Sequence, residues 1–534
     1  MSAAEAETWD AIVVGGGIAG LAAAWELTRA GLRPLLVEAR GYTGGLVAGA
    51  RIAGVRMDLG AEGFVLRGRA VSEAAEALGL EVVGPSGGGA RLLLPPLPDD
   101  DDGGATGPGH RGHHGTADPD GPWRLHRIPR DCLLGIPADP TAPDVVEILG
   151  EAGARRAAAD VDLPGRAGTG PDAAADLASF ITARMGPAVL DRLVRPIVAG
   201  IHAADPGALA ADTVAPGLRE ATAHLGSLRA AVGELLRRRR ARWGGRSMDA
   251  TTRGGLVRLT DALRDAIEAD GGSVRTRTGA QSLRPAGSAG DGAARWELTL
   301  APTGRGPTPS DEPVAVGPAQ RVRTDRLILA CSAGPARRLL AGAGVETDLS
   351  APVGSPIARF MLVVRAPGLA GAPVGSGLLV APPAPGRRAP VRAKALSHLS
   401  VKWPWIGGEL RARHGEDVHA LRLSYGRPGE PRLEVALGDA LADVEALTGV
   451  RIAPDDVVDH MLVRWDGTLP PVDAAYRERA AALVERAESL PGLGLTGAWV
   501  AGTGIAAVVE HARSRAGRLA GGAGDDADRK GRRS

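Results

Sequence analysis

The sequence predicts an α/β chain, α+β overall, with a dinucleotide-type α/β domain, an antiparallel sheet and a helical region. Three observations predict it. At 11–24 a short apolar run meets spaced glycines and then a helix-like run. Between 357 and 425 strand-like runs alternate at period two. Helix-like segments at 176–185 and 215–240 separate these regions.

The stretch 11–24 reads AIVVGGGIAGLAAA. Gly15 permits a tight turn out of the strand, Gly17 lets a pyrophosphate approach the backbone, and Gly20 lets helix and sheet pack closely. Gly16, Ile18 and Ala19 complete the turn, whose helix N-terminus offers N–H groups and a partial positive charge to phosphates. A second apolar run, 35–37, ends at Glu38 and Ala39. Glu38 is placed to accept hydrogen bonds from ribose hydroxyls. Strand, turn, helix, strand and acid together make a Rossmann-like dinucleotide fingerprint.

The 534 residues exceed a single small core, so two or more subdomains are expected. Lys+Arg is 63 and Asp+Glu is 62, for a net charge of +1. That balance gives no pull toward nucleic acid. Cys132 and Cys331 stand far apart without neighbouring cysteines, which argues for thiols rather than a disulfide framework or a zinc site. His110, His113 and His114 lie among Gly, Pro and Asp, a composition that builds no rigid metal site. No apolar run reaches the ~18 residues of a spanning helix. The expected location is the cytoplasm, with contact to a membrane surface left open.

Gly44-Gly45, followed by Leu46 and then by the D-L-G segment at 58–60, resembles the FAD-dependent amine oxidase and protoporphyrinogen oxidase superfamily. The resemblance implies FAD as cofactor. It implies flavin-lining roles for Gly45, Leu46, Gly60, Ala61, Glu62 and Gly63. It also implies an adenine-side backbone contact at Val274 and a flavin-facing helix start at Gly502, Thr503, Gly504 and Ile505. Leu46, Ala61, Thr503 and Ala506 depart from the superfamily's usual residues. Trp465 falls where the family has a flavin-contacting aromatic, and reads equally as a core residue. Residues 189–205, with Leu193, Pro196, Gly200 and Asp205, are similar to an element of the bacterial porphyrinogen oxidases.

The domains implied are a FAD-binding domain in three pieces, 1–84, 251–345 and 461–520, with an insert at 284–320. A substrate and helical domain spans 123–250, and a substrate-domain sheet spans 346–460. Residues 85–122 read as a flexible insert and 521–534 as a disordered tail.

The resemblance to the Gram-positive type of oxygen-dependent coproporphyrinogen III oxidase implies oxidation of a porphyrinogen by O2 through FAD, with H2O2 formed, in haem synthesis. Coproporphyrinogen III is favoured over protoporphyrinogen IX. An amine oxidase or desaturase on the same fold stays open, as does a flavin-binding protein of degraded activity. No Ser/His/Asp set, carboxylate pair or metal motif occurs, and flavin chemistry needs none. Arg67 and Arg69 are the candidates for a substrate carboxylate. A transient contact with a haem-pathway enzyme is left open.

Overall fold

The computed structural model describes residues 6–86, 88–97, 122–170, 173–202, 204–243, 248–286, 295–307, 311–349, 354–383, 387–427, 429–468, 474–502 and 504–531. The chain divides into two compact units, each assembled from separated stretches. The first unit holds Met1–Pro85, Ser247–Pro352 and Ala475–Ser534. The second holds Ser86–Arg246 and Val353–Ala474. The α/β class, with a Rossmann-like unit and a largely antiparallel sheet in the other, is the one the sequence predicts.

A five-stranded parallel sheet centres the first unit. Its spatial order is Ser273–Arg275, Pro34–Val37, Ala11–Val14, Leu327–Leu329 and Leu493–Leu495. The inner strands are apolar and buried on both faces, so both are covered, as is usual for parallel sheets. Helices Ile18–Arg29, Val257–Ala269 and Ile505–Gly531 supply part of that cover, and residues of all three share one core cluster. Leu21, Ala23, Ala24 and Leu27 are fully buried, so the alanine-rich face of the first helix fits where larger residues would hold it off the sheet. A second sheet runs Glu7–Trp9, Gln320–Thr324, Trp296–Gly304 and Thr278–Pro285.

A seven-stranded sheet carries the second unit. Its order is Val457–Thr468, Ser355–Arg365, Val418–Tyr425, Ala395–His398, Gly377–Val380, Ala90–Leu94 and Arg124–Arg127. One face of it meets the helix Leu437–Thr448 through Phe360, Leu362, Leu423, Ala440 and Val444. A helical cluster built on Phe180, Leu193, Val198 and Val232 packs with Leu92 and Leu94 at the other end of the sheet.

Several expectations are corrected. The flexible insert at 85–122 contains the strand Ala90–Leu94, which pairs on both sides and buries Leu92 and Leu94. Residues 87 and 98–121, including the three histidines, lie outside the described residues. By contrast, the insert at 284–320 does sit on a β-hairpin, as the stretch 296–300 suggests: Trp296–Gly304 is a hairpin strand with Trp296, Leu298 and Leu300 buried. Residues 461–474 belong to the second unit, and 247–250 to the first, where Asp249–Thr252 pairs with Phe64–Val65 and Val82–Val83. Residues 396–403 read as strand-like; the strand Ala395–His398 takes up their start, but helices begin at Leu399 and Pro404. Pro404 fits a first helical turn, where no N–H is needed. The segment before Gly502 is the short helix Ala498–Ala501 rather than a strand. The final helix reaches Gly531, so 521–531 are helical where a disordered tail is predicted. Extending an existing helix avoids the nucleation cost.

Candidate functional site: a glycine-lined cradle

The turn at 15–20 is held by backbone geometry. Gly15 has φ +110°, and a Cβ there would lie 2.7 Å from the Cys331 nitrogen. Its N–H donates to the Val37 carbonyl (2.8 Å). A Cβ at Gly20 would strike the Gly15 carbonyl. Both glycines are therefore required by the protein's own packing. Gly17 is different. Its backbone is extended, with φ −68° and ψ 175°, and a Cβ would meet nothing within 4 Å. The described residues leave space beside Gly17.

That space faces the start of the helix Ile18–Arg29. No side chain caps it, and the first helical bond runs from the Leu21 N–H to the Gly17 carbonyl (3.0 Å). Ile18, Ala19 and Gly20 are nonetheless buried. A buried, uncapped helix N-terminus with positive partial charge suits an anion.

Glu38 closes one side. Its carboxylate accepts from the Gly16 N–H and the Arg40 N–H, each at 2.7 Å. Burial pushes this carboxyl above the ordinary range, opposed by the two backbone donors. The Glu38 N–H donates to the Arg275 carbonyl (2.9 Å), which ties the acid to the edge strand carrying Val274. Ala39 is anchored by Thr303, whose hydroxyl donates to the Ala39 carbonyl (2.6 Å).

The second glycine pair meets the first. The Gly44 N–H donates to the Gly16 carbonyl (2.8 Å), and Gly45 stands against Gly17, where a Cβ would lie 3.3 Å from the Gly17 Cα. The Ala61 N–H donates to the Leu46 carbonyl (3.0 Å), bringing 60–63 alongside. Asp58 holds this segment to another. Its buried carboxylate accepts from the Leu256 and Val257 N–H groups, both at 2.8 Å, at the start of the helix Val257–Ala269. The D-L-G segment carried resemblance only. Its acid joins stretches nearly two hundred residues apart, a pairing no local spacing reveals.

The last helix begins after Gly502 (φ +91°), and Cβ atoms at Gly502 and Gly504 would meet nothing within 4 Å. Ile505 and Ala506 pack into the cluster that holds Ile18, Ala19, Ala61 and Val274. Arg513 clamps this helix to the first, donating to Glu26 (2.8 Å). Thr503 lies outside the described residues. Burial pushes the Cys331 thiol beside this cradle up to about 12, and that of Cys132 likewise. Both cysteines are free.

Three further predicted residues have surroundings of their own. Trp465 is half-buried in the second unit, opposite Ile357 in the sheet. Arg69 is exposed and pairs with Glu73 at 3.1 Å, one helical turn on. Arg67 is exposed before the same helix.

The family-specific stretch 189–205 has structural work. A Cβ at Gly200 would lie 2.6 Å from the Cδ2 of Leu379, so a larger residue there must push the end of that side chain aside. Asp205 caps the turn at Pro206–Ala208 and pairs with Arg195. Arg192 is buried, donating to the carbonyls of Ile148, Pro95 and Pro96.

The basic run at 237–242 is engaged as well: Arg237 and Arg238 pair with Glu234, and Arg240 with Asp131. Among the described residues no group of three or more His, Cys, Asp or Glu could hold a metal. Nor is any described helix long and apolar enough to cross a membrane.

A Rossmann-like unit with this cradle, joined in one chain to a large antiparallel sheet, defines a flavoprotein oxidoreductase. Residues 18–348 match the model of the flavin containing amine oxidoreductases, and the chain belongs to that family. Its cofactor is FAD. A protein named coproporphyrinogen III oxidase from Mycobacterium tuberculosis is 28% identical over 510 residues, covering 93% of this chain and 94% of that one. Its namesake from Mycobacterium leprae is 27% identical over 538 residues, with 94% and 96% covered. A crystal structure from Exiguobacterium sp., named for protoporphyrinogen oxidase, superposes with a TM-score of 0.69 at 22% identity, covering 97% and 99%. Cyclohexylamine oxidase from Brevibacterium oxydans shares the fold at TM-score 0.57 and 17% identity, covering 96% and 98%.

Proposed function

We propose that this protein oxidises coproporphyrinogen III to coproporphyrin III, with O2 reduced to H2O2. Three O2 are consumed and three H2O2 formed per macrocycle, which balances six electrons and six protons. The observation that carries the reading is near-full-length similarity to proteins of that name, supported by open space beside Gly17 at an uncapped helix start. When bound, FAD supplies the two-electron acceptor and the route to O2.

The chain's residues hold and orient. Gly15, Gly16, Gly17, Ile18, Ala19 and Gly20 present backbone to the pyrophosphate. Glu38 and Ala39 take the ribose, and Val274 the adenine end. Gly45, Leu46, Gly60, Ala61, Glu62 and Gly63 line the isoalloxazine. Gly502, Gly504 and Ile505 would set a helix start beside its pyrimidine edge, where the dipole favours negative charge; Thr503, expected with them, lies outside the described residues. No side-chain acid–base pair is assigned, because a pyrrole proton can leave to water. The runner-up substrate is protoporphyrinogen IX, favoured by the name of the Exiguobacterium protein.

Aerobic assays of the purified holoprotein with both porphyrinogens, read by porphyrin fluorescence and peroxide, test this. Faster turnover of coproporphyrinogen III is expected. Faster turnover of protoporphyrinogen IX reverses the substrate, and bound FAD with turnover of neither removes the reaction.

A further inference from the structure

The seven-stranded sheet of the second unit has two unlike faces. Alternate residues of a strand share a face. Phe360, Leu362, Leu421 and Leu423 therefore share one, and it is apolar core. The opposite face carries Arg359, Arg422 and Ser424. Arg422 and Ser424 are each 4% exposed. Lys394, just before the strand Ala395–His398, is 8% exposed.

The cations converge on one strand end. Arg359 donates to the Ser424 hydroxyl (3.0 Å). The Lys394 ammonium donates to the Gly426 carbonyl (2.5 Å). Arg427 donates to the Val380 carbonyl (3.0 Å), and its nearest paired carboxylate oxygen, on Glu430, stands 3.9 Å off. A neutral oxygen holds the Lys394 ammonium in place. An ammonium has three protons to give, and burying one beside other cations is costly unless an anion completes the site. The Lys394 pKa shows the strain: burial, then the charges of Arg359 and Arg427, push it down to about 7, with Glu430 opposing.

We propose that Lys394 and Arg359 form a carboxylate-binding site on this sheet face, and that it takes a propionate of the substrate. The identity of that carboxylate rests on the porphyrinogen reading. Charge-assisted bonds of this kind are worth roughly tenfold or more in affinity when lost.

The test uses the FAD-loaded full chain and follows fluorescence on titration with coproporphyrin III and with its tetramethyl ester, which has the same ring and no carboxylates. Lys394→Met and Arg359→Gln should each weaken coproporphyrin III about tenfold or more and leave the ester unchanged. Lys394→Met should not lower the melting temperature, because replacing a buried charge by an apolar side chain is neutral or stabilising. Lys394→Arg should restore binding in part. Equal binding of the acid by wild type and Lys394→Met, or equal loss for acid and ester, overturns the site. If wild type turns over coproporphyrinogen III while Lys394→Met keeps its KM, only the site falls. If wild type neither binds nor oxidises a porphyrin, the functional reading falls and takes the site with it.

Discussion

The cradle of the first unit and the sheet face of the second offer their ligands different materials. The cradle offers backbone: N–H groups at an uncapped helix start, glycines without a Cβ, and one acid, Glu38, already bonded to the turn it flanks. The sheet face offers side chains, Arg359, Lys394, Arg422 and Ser424, brought together by strand register. Backbone recognition depends on absent side chains at fixed spacing. Side-chain recognition depends on pairing between strands far apart in sequence.

The largest expected effect divides glycines within the cradle. Gly17→Val should abolish FAD retention while the apoprotein stays folded, since the valine fills only ligand space. Gly15→Val should instead destabilise the fold, by more than about 3 kcal/mol, because its φ is positive and its Cβ meets the 330–331 backbone. Flavin content after gel filtration and thermal unfolding of both apoproteins check this. Flavin retained by Gly17→Val would misplace the cradle.

The second unit should carry the acid sensitivity. His398 is fully buried, its Nε2 3.2 Å from the Nδ1 of His419. Burial, then His419, pushes its pKa from 6.5 down to about 4. Below pH 6.5 the unfolded chain takes up a proton that the folded chain refuses until about pH 4. Stability from this group is thus complete above pH 6.5 and falls as pH drops toward 4, by up to about 3 kcal/mol. Unfolding followed across that range should show the slope in wild type and a shallower one in His398→Asn.

Gly200→Val tests whether the element at 189–205 is structural. Overpacking against Leu379 should cost about 1–3 kcal/mol, with flavin content of the folded fraction unchanged. A protein of wild-type stability that loses only porphyrin binding would return the element to the substrate. Glu38→Gln is the mildest change. It should weaken FAD about tenfold, measured by flavin fluorescence on dilution, because the amide mimics only part of the carboxylate's accepting capacity.

The same contrast sets what could be read in advance. Gly15, Gly17, Gly20 and Glu38 were legible because each must occupy a fixed offset from one strand, and Gly44-Gly45 because it meets that turn within the same local stretch. Ala90–Leu94 was hidden among Gly and Pro, and its order comes from a parallel pairing with Gly377–Val380. Trp465 could not be placed, since a lone aromatic reads alike in either unit. Arg359 and Lys394 had no spacing to betray them. Their meeting point, Ser424–Arg427, exists only once three strands are in register.

The central claim is that the cradle holds a flavin reduced by coproporphyrinogen III. The direct measurement mixes purified holoprotein with coproporphyrinogen III under argon while flavin absorbance and porphyrin fluorescence are followed together, and O2 is then admitted. Flavin bleaching with porphyrin appearing in step is expected, then recovery of the oxidised spectrum with peroxide formed. A flavin that stays oxidised with the porphyrinogen at saturating concentration would contradict it.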